Sequence, residues 1–180
     1  MKRFCLPALL LAAILVLAAC GGTAGAGYTG VYDLCMLTVG PVKAGPDDFD
    51  AYDNCSMELR EDGYLLFRNG GHVEELPYTV EGTAFSAQEG DQVVNGTIEN
   101  DVITIHMSSQ DLVGRGDVED ALLLSFARAG SDAETELREE VIQAGSVADQ
   151  ENALPPEEHS AYLIIVGYTE DHVPLGTRQP

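Results

Sequence analysis

The side chains that could do chemistry in this sequence are two cysteines, an aspartate cluster, four histidines and one Ser–His neighbour pair. Cys35 and Cys55 form an even pair. In an oxidising compartment such a pair predicts a disulfide, here tying a first strand to the segment after an acidic turn. Strand parity objects. Cys35 alternates with Val31 and Leu37 while Cys55 alternates with Met57, which sends the two to opposite faces, although Cys55 stands at a strand entrance where parity need not hold. Two buried free thiols are the alternative, and no C-x-x-C spacing supports a cysteine metal site. Asp47, Asp48, Asp50 and Asp53 have the density of a weak cation loop but lack the Gly and bidentate Glu of an EF-hand. Pro46 at a first helical position, with Asp47 and Asp48 behind it, reads better as a helical turn with acids at its positive end. His72, His106, His159 and His172 are scattered without H-E-x-x-H or H-x₃₋₅-H spacing. Ser160 beside His159 and Glu158 lacks triad geometry, because adjacent loop residues cannot converge on one proton. No G-x-S-x-G, P-loop or dinucleotide fingerprint is present. Paired carboxylates for glycoside chemistry find no neighbouring sugar-stacking aromatic, and Trp is absent. The expectation is no catalytic residue, no cofactor and no metal.

The first twenty residues carry a sharper signal. Met1-Lys2-Arg3 is a short basic start, and Phe4 to Ala19 is an apolar run interrupted only by Pro7. Sixteen helical residues rise about 24 Å, short of a hydrocarbon core of about 30 Å. That combination describes a secretory signal, residues 1–19, rather than a spanning helix. Leu17-Ala18-Ala19-Cys20 resembles the lipobox of bacterial lipoproteins, with Gly21-Gly22 leaving room for processing. The resemblance implies cleavage before Cys20, fatty acyl chains such as palmitate on its sulfur, and a lipid-anchored protein on the extracytoplasmic face of the cell membrane. Two acyl chains, at about 0.8 kcal/mol per buried CH₂, hold a protein firmly without a spanning helix.

Charge narrows the partners. The chain has 30 acidic and 9 basic residues, a net −21 over 180 positions. Nucleic-acid binding needs a Lys/Arg patch to displace counterions, so it is excluded as a function class. Docking on anionic headgroups through protein charge is disfavoured as well. Removing residues 1–19 takes Lys2 and Arg3 but no acid, so the 161-residue remainder carries −23. A membrane partner is therefore expected through the N-terminal lipid, and any protein or small-molecule partner is unnamed by sequence.

Behind these residues the elements are legible. Residues 20–27 (CGGTAGAG) read as a small-residue tether. From Tyr28 to Gly130, short alternating segments are separated by turn chemistry: 28–39, 56–61, 64–68, 74–80, 83–87, 92–99, 102–107 and 121–128. Asp62-Gly63, Asn69-Gly70-Gly71, Glu89-Gly90 and Asn100-Asp101 are hairpin signals, and Pro77 marks an edge or bulge. Eight such strands predict an antiparallel barrel or a tightly closed sandwich, mainly β. Ser131-Asp132-Ala133-Glu134 is a capping box opening a short acidic helix that ends near Gly145. Ser146 to Ser160 reads as loop, Ala161–Tyr168 as an apolar segment that adds one strand to the barrel edge or packs over an open end, and Thr169–Pro180 as tail. Residues 131–180 thus form an extension to the 28–130 barrel.

Gly30, Tyr32, Leu34 and Met36 (G-x-Y-x-L-x-M), then Leu59, Asp62 and Gly63, then GTIENDVITI at 96–105 and Leu124–Arg128, together resemble the small lipocalin-like β-barrel domains of Firmicute lipoproteins. The resemblance covers roughly residues 28–129 and implies a fold and an export route, with no reaction. That family usually carries a Trp in its fourth strand, a place Tyr78 takes here.

The predicted interior is Tyr32, Leu34, Met36, Met57, Leu59, Leu65, Phe67, Leu76, Tyr78, Val80, Phe85, Val94, Ile98, Ile103, Ile105, Met107, Leu122, Leu124 and Phe126. No charged group converges among them, and eight strands close just tightly enough for side chains to fill the centre. A packed barrel is the expectation. The function expected is a non-catalytic binding or interaction module of the cell envelope. A lipocalin-like carrier of a small apolar ligand and an envelope hydrolase are the alternatives.

Overall fold

Alternating apolar segments joined by two-residue turns close into hairpins. The computed structural model, which describes residues 27–48, 52, 54–108 and 121–155, builds them into a single nine-stranded antiparallel sheet. The strands are β1 (Gly30–Val39), β2 (Val42–Ala44), β3 (Ser56–Leu59), β4 (Tyr64–Asn69), β5 (His72–Glu81), β6 (Ala84–Glu89), β7 (Gln92–Glu99), β8 (Val102–Met107) and β9 (Leu122–Arg128). From β3 to β9 each pairs with the next, and β9 returns to β1 from Tyr32↔Arg128 to Thr38↔Leu123. Strands β1 and β3–β9 therefore form a closed eight-stranded barrel, with β2 as an extra strand on the far half of β1. Two helices follow, α1 (Asp132–Ala144) and α2 (Val147–Asn152).

The hairpin chemistry is as the sequence requires. Asn100 and Asp101 both hold positive φ, 48° and 64°, the signature of a type I′ turn, and Gly63 holds 82° after Asp62. The ladder between β5 and β6 covers only Tyr78↔Ala87 to Glu81↔Ala84, whereas β4 pairs with β5 along its whole length. Pro77, with no N–H to give, lies where the β5–β6 ladder stops, so its edge character is real. The two hairpins part toward the end that carries the 70–71 and 90–91 turns.

Inside, Tyr32, Phe85 and Phe126 are fully buried with Leu34, Leu59, Leu65, Ile98 and Ile103. Each such side chain contributes about 1.5–3 kcal/mol of burial free energy. Gly96 also points inward, and a Cβ there would come within 2.2 Å of the Thr104 carbonyl oxygen. Its missing side chain lets β7 and β8 approach closely.

Two expectations are corrected, and a third falls on residues that are not described. The register of β1 against β9 shifts between Leu34 and Met36, so a bulge at Cys35 turns Leu37 and Val39 into the core and moves Met36 out of it. The extra strand observed is β2, while the predicted strand at Ala161–Tyr168 lies outside the described residues. Finally, the segment after Gly145 is not all loop. Ser146 caps α2 by accepting the Asp149 N–H at 3.2 Å, and Val147 and Leu154 pack on the core.

Helix α1 fulfils its prediction, from the Ser131 cap to Gly145. Ser131 Oγ accepts the Glu134 N–H at 3.2 Å, and Glu134 Oε2 reaches back to accept the Gly130 N–H at 2.7 Å. The helix lies over β1, β2 and β9, with Lys43 paired to Glu140. Gln150 of α2 covers the open edge of β2: its Oε1 accepts the Lys43 N–H at 2.9 Å and its Nε2 donates to the Lys43 carbonyl at 2.7 Å. The side-chain amide thus acts as one residue of a missing neighbour strand.

Candidate functional site

The two ends of the barrel differ in chemistry. At the end where the chain enters β1, Arg128 from β9 closes the bore. Its Nε meets Asp101 Oδ1 at 2.6 Å, Nη1 donates to the Thr29 carbonyl at 2.6 Å, and Nη2 donates to the Gly27 carbonyl at 3.0 Å and to the Tyr32 hydroxyl at 2.8 Å. The guanidinium carbon lies 5.0 Å from the centre of the Tyr32 ring, within cation–π range. The Tyr32 hydroxyl in turn donates to the Tyr28 carbonyl at 2.9 Å. Gly30 makes this possible. Its φ is 145°, and a Cβ there would sit 2.7 Å from Arg128 Nη1. Tyr78 donates to the Arg60 carbonyl at 2.9 Å on the same end. Burial raises the pKa of both phenols, against the pull of Arg128 in the case of Tyr32, so both stay protonated donors. This end is a satisfied polar plug.

The described residues leave the opposite end unfilled. An apolar cavity of about 210 Å³ lies among Met57, Leu65, Phe67, Leu76, Phe85, Ala87, Val94, Ile105, Met107, Leu124 and Phe126, with Tyr52 and Glu89 also lining it. Two features make the space. Ala87 contributes only a methyl where its strand neighbours contribute larger groups, and the β5–β6 ladder has ended at this level. An apolar cavity of about 150 Å³ suffices for benzene, and drug-sized ligands occupy about 300 Å³ or more. The volume here fits one ring with a short substituent or a short branched chain. The packed barrel expected from sequence is corrected at this end, and the charged residue among the described lining, Glu89, is exposed at its rim. Glu89 alternates with Phe85 and Ala87 on the inner face, a parity that its position beside the Glu89-Gly90 turn obscured.

The sequence-derived candidates fall elsewhere. Cys35 and Cys55 are both buried and free. Although the Leu34 N–H donates to the Cys55 carbonyl at 3.0 Å, the bulge leaves Cys35 on the outer face of β1 beneath α1, while Cys55 belongs to the inner core. The sheet itself separates the two thiols, so the predicted disulfide is corrected and the parity objection decides the matter. Burial pushes the Cys55 thiol up to about 12 and also raises Cys35, which is partly offset by a backbone hydrogen bond at Ala127. Both are inert as nucleophiles.

Asp47 and Asp48 occupy a single 3₁₀ turn, Pro46–Asp48, with Asp48 Oδ2 accepting the Gly45 N–H at 2.8 Å. Asp50 and Asp53 lie outside the described residues, among which no group of three or more His, Cys, Asp or Glu side chains could hold a metal. His72 sits on the tip of β5, Nε2 3.8 Å from Glu74, and His106 lies on β8. His159, Ser160, His172 and the segment Leu17-Ala18-Ala19-Cys20 lie outside the described residues.

A second, polar cleft of about 480 Å³ runs between Asp33, Asp47, Arg68 and Arg138. Its arginines are already engaged, Arg68 with Glu58 at 2.7 Å and Arg138 with Glu134 at 3.1 Å. Each lining arginine is thus already paired with a carboxylate of the chain. The apolar cavity is the better candidate.

No known family, no curated protein and no solved structure matches this chain. Among the described residues no helix is long and apolar enough to cross a membrane. The fold and the cavity therefore carry the functional argument.

Proposed function

We propose that this chain is a lipid-anchored, extracytoplasmic binding protein that takes a small apolar ligand into the open end of its barrel. The observation that carries the reading is the apolar cavity of about 210 Å³ at one end of a closed barrel whose other end is plugged. Anchoring rests on the basic start, the apolar run and Leu17-Ala18-Ala19-Cys20. A preformed apolar pocket binds by releasing poorly solvated water and by matching shape, with little rearrangement of the protein. No step of bond making is assigned to it.

The test is binding of a single-ring hydrocarbon such as propylbenzene, followed by ligand-observed NMR on the full-length protein and on Ala87→Leu. Leucine at 87 adds carbon into the cavity from its wall. The expected result is saturable binding to the wild type and at least tenfold weaker binding to Ala87→Leu, with thermal stability of the variant retained or raised. Absence of binding to the wild type up to the solubility limit of the probe would overturn the pocket reading.

A further inference from the structure

Among the described residues the lining of the cavity is apolar except at its mouth, where the charged side chain is a carboxylate. Glu89 lines the cavity itself. Glu74, on the neighbouring hairpin, shares the inward parity of Leu76 and Tyr78 and pairs across the ladder with Phe67, another lining residue. No Lys or Arg lines the cavity among the described residues. Arg68, next to the lining residue Phe67 in β4, alternates away from it and is held by Glu58 at 2.7 Å. Two aromatic rings, Tyr52 and Phe67, stand beside the same opening.

We infer that the mouth selects ligands with a cationic head on an apolar body, a protonated amine carried by a single ring or short chain. This rests on the pocket reading above and adds the headgroup. The apolar part fills the space beneath Ala87, and the ammonium remains at the rim, where water still reaches it. There Glu89 supplies a charge-assisted hydrogen bond, Glu74 adds a second negative charge, and the ring faces attract the cation. A carboxylate head on the same body would meet two like charges, with no Lys or Arg among the described lining residues to offset them. An ion pair at a wet rim is weak, so the selectivity expected is modest.

Three probes of similar size decide it: 2-phenylethylammonium, neutral propylbenzene and anionic 3-phenylpropanoate, titrated against the full-length protein at low ionic strength. The cation should bind about tenfold more tightly than the hydrocarbon, a difference of 1.4 kcal/mol, and the anion more weakly than either. In the Glu74→Gln/Glu89→Gln variant the cation should fall to the affinity of the hydrocarbon, while the hydrocarbon keeps its own. That retained binding shows the barrel intact. Equal affinity of the wild type for cation and hydrocarbon overturns the headgroup inference and leaves the pocket standing. Failure of all three probes to bind overturns the pocket reading, and this inference with it.

Discussion

Cys55 lies in the inner core among Leu34, Met57 and their neighbours, and Cys35 lies one residue beyond Leu34 on the other side of the sheet. Two thiols so close along the backbone stay unbridged because a strand presents successive side chains to opposite faces. Their burial has two measurable consequences. Alkylation at pH 8 followed by peptide mapping should leave Cys35 and Cys55 unlabelled in the native protein. Both should be labelled in denaturant without reductant, and labelling of neither would restore the disulfide. The second consequence is a loss of stability in alkali. Cys55 is pushed up to about 12 in the fold, whereas a thiol in the unfolded chain titrates near about 8.5. Below that pH both states hold the proton and the stability is fully present. Above it the unfolded state loses the proton first, so stability falls as pH rises from about 8.5 toward 12, by about 1.4 kcal/mol per unit. Chemical denaturation from pH 8 to 10 should show this slope in the wild type and a flatter one in Cys55→Ala. The buried phenols Tyr32, Tyr52 and Tyr78, all raised by burial, extend the loss at higher pH in both proteins.

At the scale of elements, turn chemistry and parity made most of the barrel legible. Asp62-Gly63 and Asn100-Asp101 fixed hairpin positions, and the alternation in β5, β7 and β8 fixed which side chains turn inward. What stayed hidden has a physical pattern. The bulge at Cys35 leaves no mark in an alternating sequence until the partner strand is known, and with it went the placement of Met36. Strand β2 is three residues long, too short for a periodicity, and α2 is a six-residue helix in a polar segment whose only apolar anchors are Val147 and Leu154. The cavity was invisible for a similar reason, since the separation of β5 from β6 depends on where a ladder ends. Helix α1, by contrast, announced itself through its cap, and the cap gives a prediction. Glu134 is held below the usual carboxylate range, first by the Gly130 N–H and then by Arg138 one turn on. A depressed pKa contributes stability above the ordinary carboxylate value near about 4.3, and that contribution is lost as pH falls through the lowered one. Glu134→Gln should therefore cost about 0.5–1 kcal/mol at pH 7 and progressively less below pH 4. Ser131→Ala, which removes an uncharged acceptor, should cost about 1 kcal/mol at both pH values. Urea denaturation at pH 7 and pH 3 separates the two, and an identical pH response for both variants would contradict the assignment of charge to the Glu134 contact.

At the scale of the whole molecule, the plug and the mouth acquire a direction from the N-terminus. Arg128 grips the carbonyls of Gly27 and Thr29 at the closed end, so a chain anchored at Cys20 meets the barrel on its plugged face. The seven steps between the eight residues from Cys20 to Gly27 reach at most about 25 Å when fully extended. Strand β1, ten residues at about 3.3 Å and tilted as barrel strands are, separates plug from mouth by about 25 Å. Turning the mouth onto the bilayer would need the anchor segment at its full reach, and it would press Glu74 and Glu89 against an anionic surface. With a net charge of −23 on the chain after Ala19, that orientation is opposed twice. The proposed protein thus holds its plug toward the lipid and its mouth toward the extracytoplasmic medium, which lets it capture ligand from that medium rather than from the bilayer. The anchor and the pocket are then separable. Cys20→Ser should remove acyl labelling and shift the protein from the membrane fraction to the soluble one, while the affinity for propylbenzene stays within twofold of wild type. A variant that remains wholly with the membrane would refute the anchor. One that leaves the membrane but loses its affinity would show that the mouth needs the lipid surface, and the outward orientation would be wrong.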